Sequence, residues 1–183
     1  MLFRSARKSG EEAALKNLDV PEGANGGDSR MCLEYLRGVL GSGELKADLL
    51  LLNCGLHDIK RKPTDPNGPT QISIENYRAN LTAMVELLRQ HRLPMIWVRT
   101  TPVHEPQHNA PGQGIIRYQK DVDRYNAVSD AIMSEDGIHS IDLAGFTLTL
   151  GNPGEVLHDG RHFHEAIQKL QAAHIAEIGR AHV

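Results

Sequence analysis

Asp48-Leu49-Leu50-Leu51-Leu52-Asn53-Cys54 is followed directly by Gly55-Leu56-His57-Asp58. Four leucines in a row show neither helical nor alternating periodicity. A run this short and this uniformly apolar reads as a strand covered on both faces. The glycine that follows starts a polar loop of Gly55 to Thr70, which carries three prolines. Two further segments read in the same way as the first. Pro94 to Thr101 is a second buried strand, and Ile138 to Leu143 a third.

Helical spacing fills the intervals. Leu33, Leu36 and Leu40 follow Asp28 and Ser29, either of which can cap a helix. Ile74, Tyr77, Leu81, Val85 and Leu88 mark one face of a second helix, and Val122, Tyr125, Val128 and Ile132 that of a third. The third ends at Asp136-Gly137. A closing helix is expected over Phe163 to Ile178, with Ile167, Leu170 and Ile178 inward. Near the start, Glu11 to Leu18 reads as a short helix stopped by Val20-Pro21. The alternation of strands and helices predicts an α/β fold with a parallel sheet and helices on both faces. In such sheets a ligand lies beyond the carboxyl ends of the strands.

The chain has 183 residues, the size of one domain over 1–183, with residues 1–10 left without an assigned element. Apolar residues make up 40% and charged residues 23%, which excludes a collagen-like or wholly disordered chain. The net charge of −3 gives no basis for a nucleic-acid partner. No apolar run exceeds four residues, so no membrane-spanning helix is expected. Residues 1–10 lack the apolar stretch of a secretory signal, and cytoplasmic residence is compatible with that. Cys32 and Cys54 read as two buried thiols rather than a disulfide framework.

Three short segments carry chemistry. Asp159-Gly160-Arg161-His162 places a carboxylate three residues before an imidazole, close enough to bond Nδ1 and leave the other nitrogen as a base. On spacing alone, an ordinary surface Asp and His beside a helix start is the better explanation, since Asp-x-x-His is frequent. Gly55-Leu56-His57-Asp58 stands at a strand's carboxyl end, where His57 can donate to a developing oxyanion and Asp58 can cap backbone N–H groups. Asn25-Gly26-Gly27-Asp28-Ser29 opens a helix, a position suited to an anion or to a simple cap. Ser29 is a nucleophile only if a histidine reaches it. His158, His162 and His164 suggest a metal site, but no Cys or His-Glu-x-x-His pattern supports one. Neither a metal nor a cofactor is expected.

Together these segments resemble the SGNH (GDSL-type) hydrolases, serine esterases built on a three-layer, flavodoxin-like α/β sheet. The resemblance runs from about residue 20 to the C-terminus. It implies that Asp159 and His162 form the family's last block, the acid and base of a catalytic triad. Gly55-Leu56-His57-Asp58 matches the block that supplies an oxyanion donor, with His57 where the family usually has Asn. Thr100-Thr101-Pro102-Val103, Asp121 to Asn126 and Ile141-Asp142-Leu143 also resemble family members.

Gly27-Asp28-Ser29 matches two blocks of the family. Read as the first, it makes Ser29 the nucleophile. However, Ser29 lies only 28 positions before His57. At about 1.5 Å per helical and about 3.3 Å per strand residue, that interval cannot hold the two helices and the strand the first block requires. Read as the second block, Gly27 is an oxyanion donor and Asp28 or Ser29 a cap. The nucleophile is then expected before Glu11, where only Ser5 and Ser9 stand, and the first strand is expected to be missing or truncated. The resemblance implies an ester hydrolase with a small-molecule ester as partner, and the polar makeup of the 102–114 and 151–158 loops favours a small acyl or acetyl ester, carbohydrate esters included, over a long-chain lipid. The alternative is a non-catalytic or truncated domain whose exposed strand edges favour self-association into a homo-oligomer. The polar 102–114 and 151–158 loops are expected to shape the pocket.

Overall fold

The computed structural model describes the backbone of residues 4–9, 11–17, 27–43 and 45–180, with side chains for 27–43 and 45–178. Five strands form one sheet: β1 (Arg4–Ser9), β2 (Glu11–Asn17), β3 (Leu49–Leu52), β4 (Met95–Val98) and β5 (Ser140–Ile141), in the order β2-β1-β3-β4-β5. The last three run parallel. The three strands expected from the sequence are therefore present, each trimmed to its apolar centre.

Both faces of β3 and β4 are covered. Leu50, Leu52, Met95 and Trp97 pack under α1 (Ser29–Gly41), α2 (Ile74–Gln90) and the long helix over Gln119–Glu135. Leu49, Leu51, Ile96, Val98 and Ile141 face the other way and meet Ile175. That residue belongs to the closing helix over Glu165–Arg180. Two short helices interrupt the predicted loops, α3 (Glu105–His108) before the long helix, which is thus α4, and α6 (Pro153–Val156) before the closing helix, α7.

Three expectations are corrected. Glu11 to Leu18 is not a helix over its described part: Glu11–Asn17 is β2, paired antiparallel with β1. A single helix of two turns is marginal by itself, and strand pairing supplies the backbone partners instead. The third strand keeps only two residues, because Asp142 accepts the backbone N–H of Gly145 and opens α5 (Leu143–Leu150). Along α7, Leu170 is exposed, and Ile175 is the residue that enters the core.

The edge of β3 is not open. β1 lies beside it and runs antiparallel, with Arg4 opposite Leu51 and Ala6 opposite Leu49. Ser9 therefore ends β1 at the amino edge of β3, away from Gly55. An unpaired β3 edge, expected above to drive self-association, does not occur.

Because Leu50 and Leu51 fill opposite cores, each should be equally intolerant of truncation. Leu50→Ala and Leu51→Ala are each expected to cost about 2–5 kcal/mol, read from urea denaturation midpoints. A loss at one position only would contradict burial on both faces.

Candidate functional site

The polar residues that the sheet excludes collect where β3 and β4 end. Asn53 donates to the Val98 carbonyl at 2.7 Å. Asn126 on α4 bonds both backbone groups of Thr100, at 3.0 and 2.8 Å. Gly55 has φ 143°, and a Cβ there would stand 2.7 Å from Thr100 Oγ1, so only glycine lets the chain leave β3 this close to β4.

The turn over Gly55–Asp58 then reaches α1. Asp58 is fully buried, and both its oxygens accept the Ser29 backbone N–H, at 3.0 and 3.1 Å. Asp28 is the N-cap: Oδ1 accepts from Met31 N at 3.0 Å and Oδ2 from Gln71 at 2.8 Å. Gly27, at φ 66°, leads into this cap. Burial, reinforced by Asp28 and opposed by the bonds from Ser29, pushes the Asp58 carboxyl up to about 6. His57 is pushed down to about 4, first by burial and then by Lys60 and Arg117. It is a neutral imidazole at neutral pH, able to donate one N–H.

Ser29 is fully buried in the first turn of α1, and its hydroxyl accepts from Asn80 at 2.9 Å. It makes no hydrogen bond to His162. Ser5 and Ser9 lie in β1, whose side chains are outside the described residues, and Gly26 lies outside them altogether.

Asp159 and His162 do come together. His162 Nδ1 donates to Asp159 Oδ2 at 2.6 Å, while Asp159 Oδ1 accepts the backbone N–H groups of His162 at 2.7 Å and Arg161 at 3.1 Å. Burial disfavours the Asp159 anion, but these N–H donors outweigh it and hold the carboxyl well below the usual range. The imidazole is thus fixed with its proton on Nδ1 and Nε2 available as an acceptor. His158 adds a third donor within 4.8 Å of the other two. Among the described residues these three are the ones that could offer ligands to a cation, although Asp159 Oδ2 is already held by the imidazole.

A cavity of about 670 Å³ adjoins His162, lined in part by Asn53, Leu56, Thr100, Phe163 and Gln171. Its walls are the strand ends and α7. The 102–114 and 151–158 loops expected to shape it border a separate hollow, lined by His104, Glu105, Asn109 and Pro153.

Residues 5–170 match the GDSL-like Lipase/Acylhydrolase family. The chain belongs to that family. Among solved structures it is similar to a lipase/acylhydrolase from Enterococcus faecalis, at 21% identity and a TM-score of 0.62, over 85% of this chain and 72% of that one. A GDSL-like lipase from Bacteroides thetaiotaomicron matches at 16% identity and a TM-score of 0.67, over 87% and 74%. A catalytic mutant of an acetylxylan esterase from Geobacillus stearothermophilus matches at 16% and 0.62, over 85% and 69%. No curated protein matches the sequence. At these identities the structures establish a shared fold. Triads and oxyanion holes are expected in GDSL-like hydrolases, and Asp159 and His162 have the contacts of an acid–base pair.

Sequence reasoning missed Arg117 and His108. Arg117 is 2% exposed and donates to the Leu56 carbonyl at 2.6 Å and to His108 Nε2 at 2.8 Å. Neither residue belongs to a periodic pattern, and only the odd density of polar residues in the 102–117 loop could have drawn attention to them.

The ionisation states make a pH prediction. His57 and His108 titrate near 4 in the folded chain against an ordinary 6.5, both chiefly because of burial. Between those values the unfolded chain takes up two protons that the folded one refuses, so stability falls as pH is lowered from 6.5 to 4. Asp58 acts oppositely: raised from 3.8 to about 6, its contribution is present below 3.8 and is lost as pH rises through 6. Two imidazoles outweigh one carboxyl. Urea midpoints are expected to drop on acidification, and His57→Asn should flatten the drop. A midpoint that rises would refute the assignment.

Proposed function

We propose that this chain is a serine-type ester hydrolase acting on small acyl or acetyl esters, carbohydrate-borne ones included. The observation that carries this reading is the Asp159–His162 pair, with its carboxylate held ionised and Nε2 left as a base. In the reaction, Nε2 takes the proton of a serine hydroxyl as the oxygen attacks the ester carbonyl. His162 then returns that proton to the departing alcohol, leaving an acyl-enzyme that water resolves by the same route. Asp159 stabilises the transient imidazolium. The backbone N–H of Gly27 and the ring N–H of neutral His57 serve the oxyanion. Ser29, held by Asn80 and Asp58, we assign to the helix start rather than to the nucleophile.

The cavity has room for a small ester, with Leu143, Phe163 and Ile175 beside Asn53 and Thr100 in its lining. The likeness to an acetylxylan esterase supports the same substrate class.

A second reading has its own support. Among the described residues no hydroxyl hydrogen-bonds His162, as expected of a domain that binds an acyl or sugar ligand without turning it over.

His162→Ala is expected to lower hydrolysis of a small acetyl ester at least ~100-fold, since a lost triad member ordinarily costs more than that. A fluorophosphonate should label a single serine, identified by mass-spectrometric mapping. Unchanged turnover in His162→Ala would end the hydrolase reading. Absent labelling together with absent turnover would establish the second.

A further inference from the structure

Arg117 is a buried cation, with Asp159 as the carboxylate whose charge opposes the cost of its burial. Among the described residues no acid forms an ion pair with it, although removing a guanidinium from water carries a penalty of several kcal/mol. Burial, then repulsion from Arg161, lowers it only to about 10, so it stays charged at neutral pH. A group held at such a cost needs acceptors worth the burial, and it has two. Nε donates to the carbonyl of Leu56, between Gly55 and His57. Nη1 donates to Nε2 of His108, which must therefore carry its own proton on Nδ1.

His108 is the last residue of α3, and α3 is fastened to the acid–base loop. His104 N donates to the Gly160 carbonyl at 2.9 Å, and Gln107 to the His158 carbonyl at 2.7 Å. Gly160, at φ 82°, packs so tightly that a Cβ would lie 2.6 Å from His108 N and 2.9 Å from the His104 carbonyl. On the other side Asn109 clamps the Arg117 backbone, with Arg117 N donating to Oδ1 at 2.9 Å and Nδ2 donating to the carbonyl at 2.7 Å. One unbroken set of hydrogen bonds thus joins Asp159–His162 to Gly55–Asp58.

We propose that Arg117, seated on His108, is the positioning residue that sets the oxyanion loop against the acid–base loop. Its catalytic consequence rests on the hydrolase reading above. A planar fork is needed for this task, because its donors point in two fixed directions, whereas an ammonium offers a single flexible point. Misplacing a catalytic group by about 1 Å can cost about 100-fold in rate. No hydrogen bond joins the two loops directly among the described residues; a backbone bridge between Arg61 and Ile116 holds the 116–117 segment beside the Gly55–Thr70 loop, and from there the Arg117 side chain reaches both Leu56 and His108.

The test uses Arg117→Met, Arg117→Lys and His108→Phe, with Arg30→Met on the exposed face of α1 as control. Turnover of p-nitrophenyl acetate and backbone amide NMR shifts are both recorded. Arg117→Met is expected to lower kcat about 10- to 100-fold with KM within about threefold. Arg117→Lys should leave most of that loss in place, because it restores charge but not the fork. Amides of both Gly55–Asp58 and Asp159–His162 should shift in Arg117→Met and in His108→Phe, and in neither region for Arg30→Met. A kcat within twofold of wild type in Arg117→Met, or full rescue by lysine, overturns the proposal. A wild-type chain without turnover defeats the hydrolase reading instead, and the amides then decide: movement in both loops upholds the brace, and a stationary loop overturns it. Should Arg117→Met not fold, His108→Phe is read by the same criteria.

Discussion

The polar groups of the site are arranged around a strand that cannot accept them. β3 is four leucines with a core on each face. A buried polar group without a partner would cost roughly 1–3 kcal/mol there. The chain therefore keeps its chemistry until Asn53 and beyond, and at that edge it must both satisfy backbone groups and turn sharply. Asn53, Thr100 and Asn126 do the first. Gly55 does the second, in a space that admits no Cβ. The same constraint aims the next residues at the start of α1, where free backbone N–H groups need an acceptor. Asp58 fills that need, so the turn and the helix are fixed together.

The ionic groups around the site then fall into two classes. Asp159 is drawn to its anion by a cluster of N–H donors, while His57 and His108 are driven toward neutrality by burial and by nearby cations. Burial alone would have acted on all three against charge. What separates them is the donor set: the tight 159–162 turn presents two backbone N–H groups to one carboxylate, whereas His57 has cations as neighbours and His108 accepts from one. Asp159 is thus ionised and bonded to an imidazole, while His57 is neutral, which are the protonation states that the proposed acyl transfer requires.

The buried strands were legible because burial on two faces leaves an unmistakable apolar run, and the three long helices because each shows one apolar face. Asp159 and His162 were legible because both partners sit within one turn, so sequence spacing translates into distance. The hairpin of β1 and β2 was not, since its partner choice depends on strand pairing rather than on composition. α5 escaped because Leu143 reads as the end of the strand and the eight residues that follow Asp142 show no single apolar helical face, and the capping bond from Asp142 decides otherwise. Leu170 misled because α7 meets the sheet through Ile175 and Ile178, which leaves Leu170 on its exposed side. The Arg117–His108 contact joins residues nine positions apart in an irregular loop, where no periodicity constrains geometry.

The direction of β1 bears on how the site's parts depend on one another. In a flavodoxin-like order of 2-1-3-4-5, the central crevice lies between β1 and β3. Here the order is kept, but β1 runs antiparallel to β3, so its carboxyl end is at the opposite edge. Asp159–His162 does not need that strand. Its hydrogen bonds lie within four residues, and its tie to the rest of the fold runs through α3 to the Gly55–Asp58 turn and α1. Asp159, His162 and the Gly55–Asp58 turn consequently form a unit organised by β3, β4 and the helices above them. A hydroxyl delivered to Nε2 from any direction would meet an imidazole already in the right tautomer.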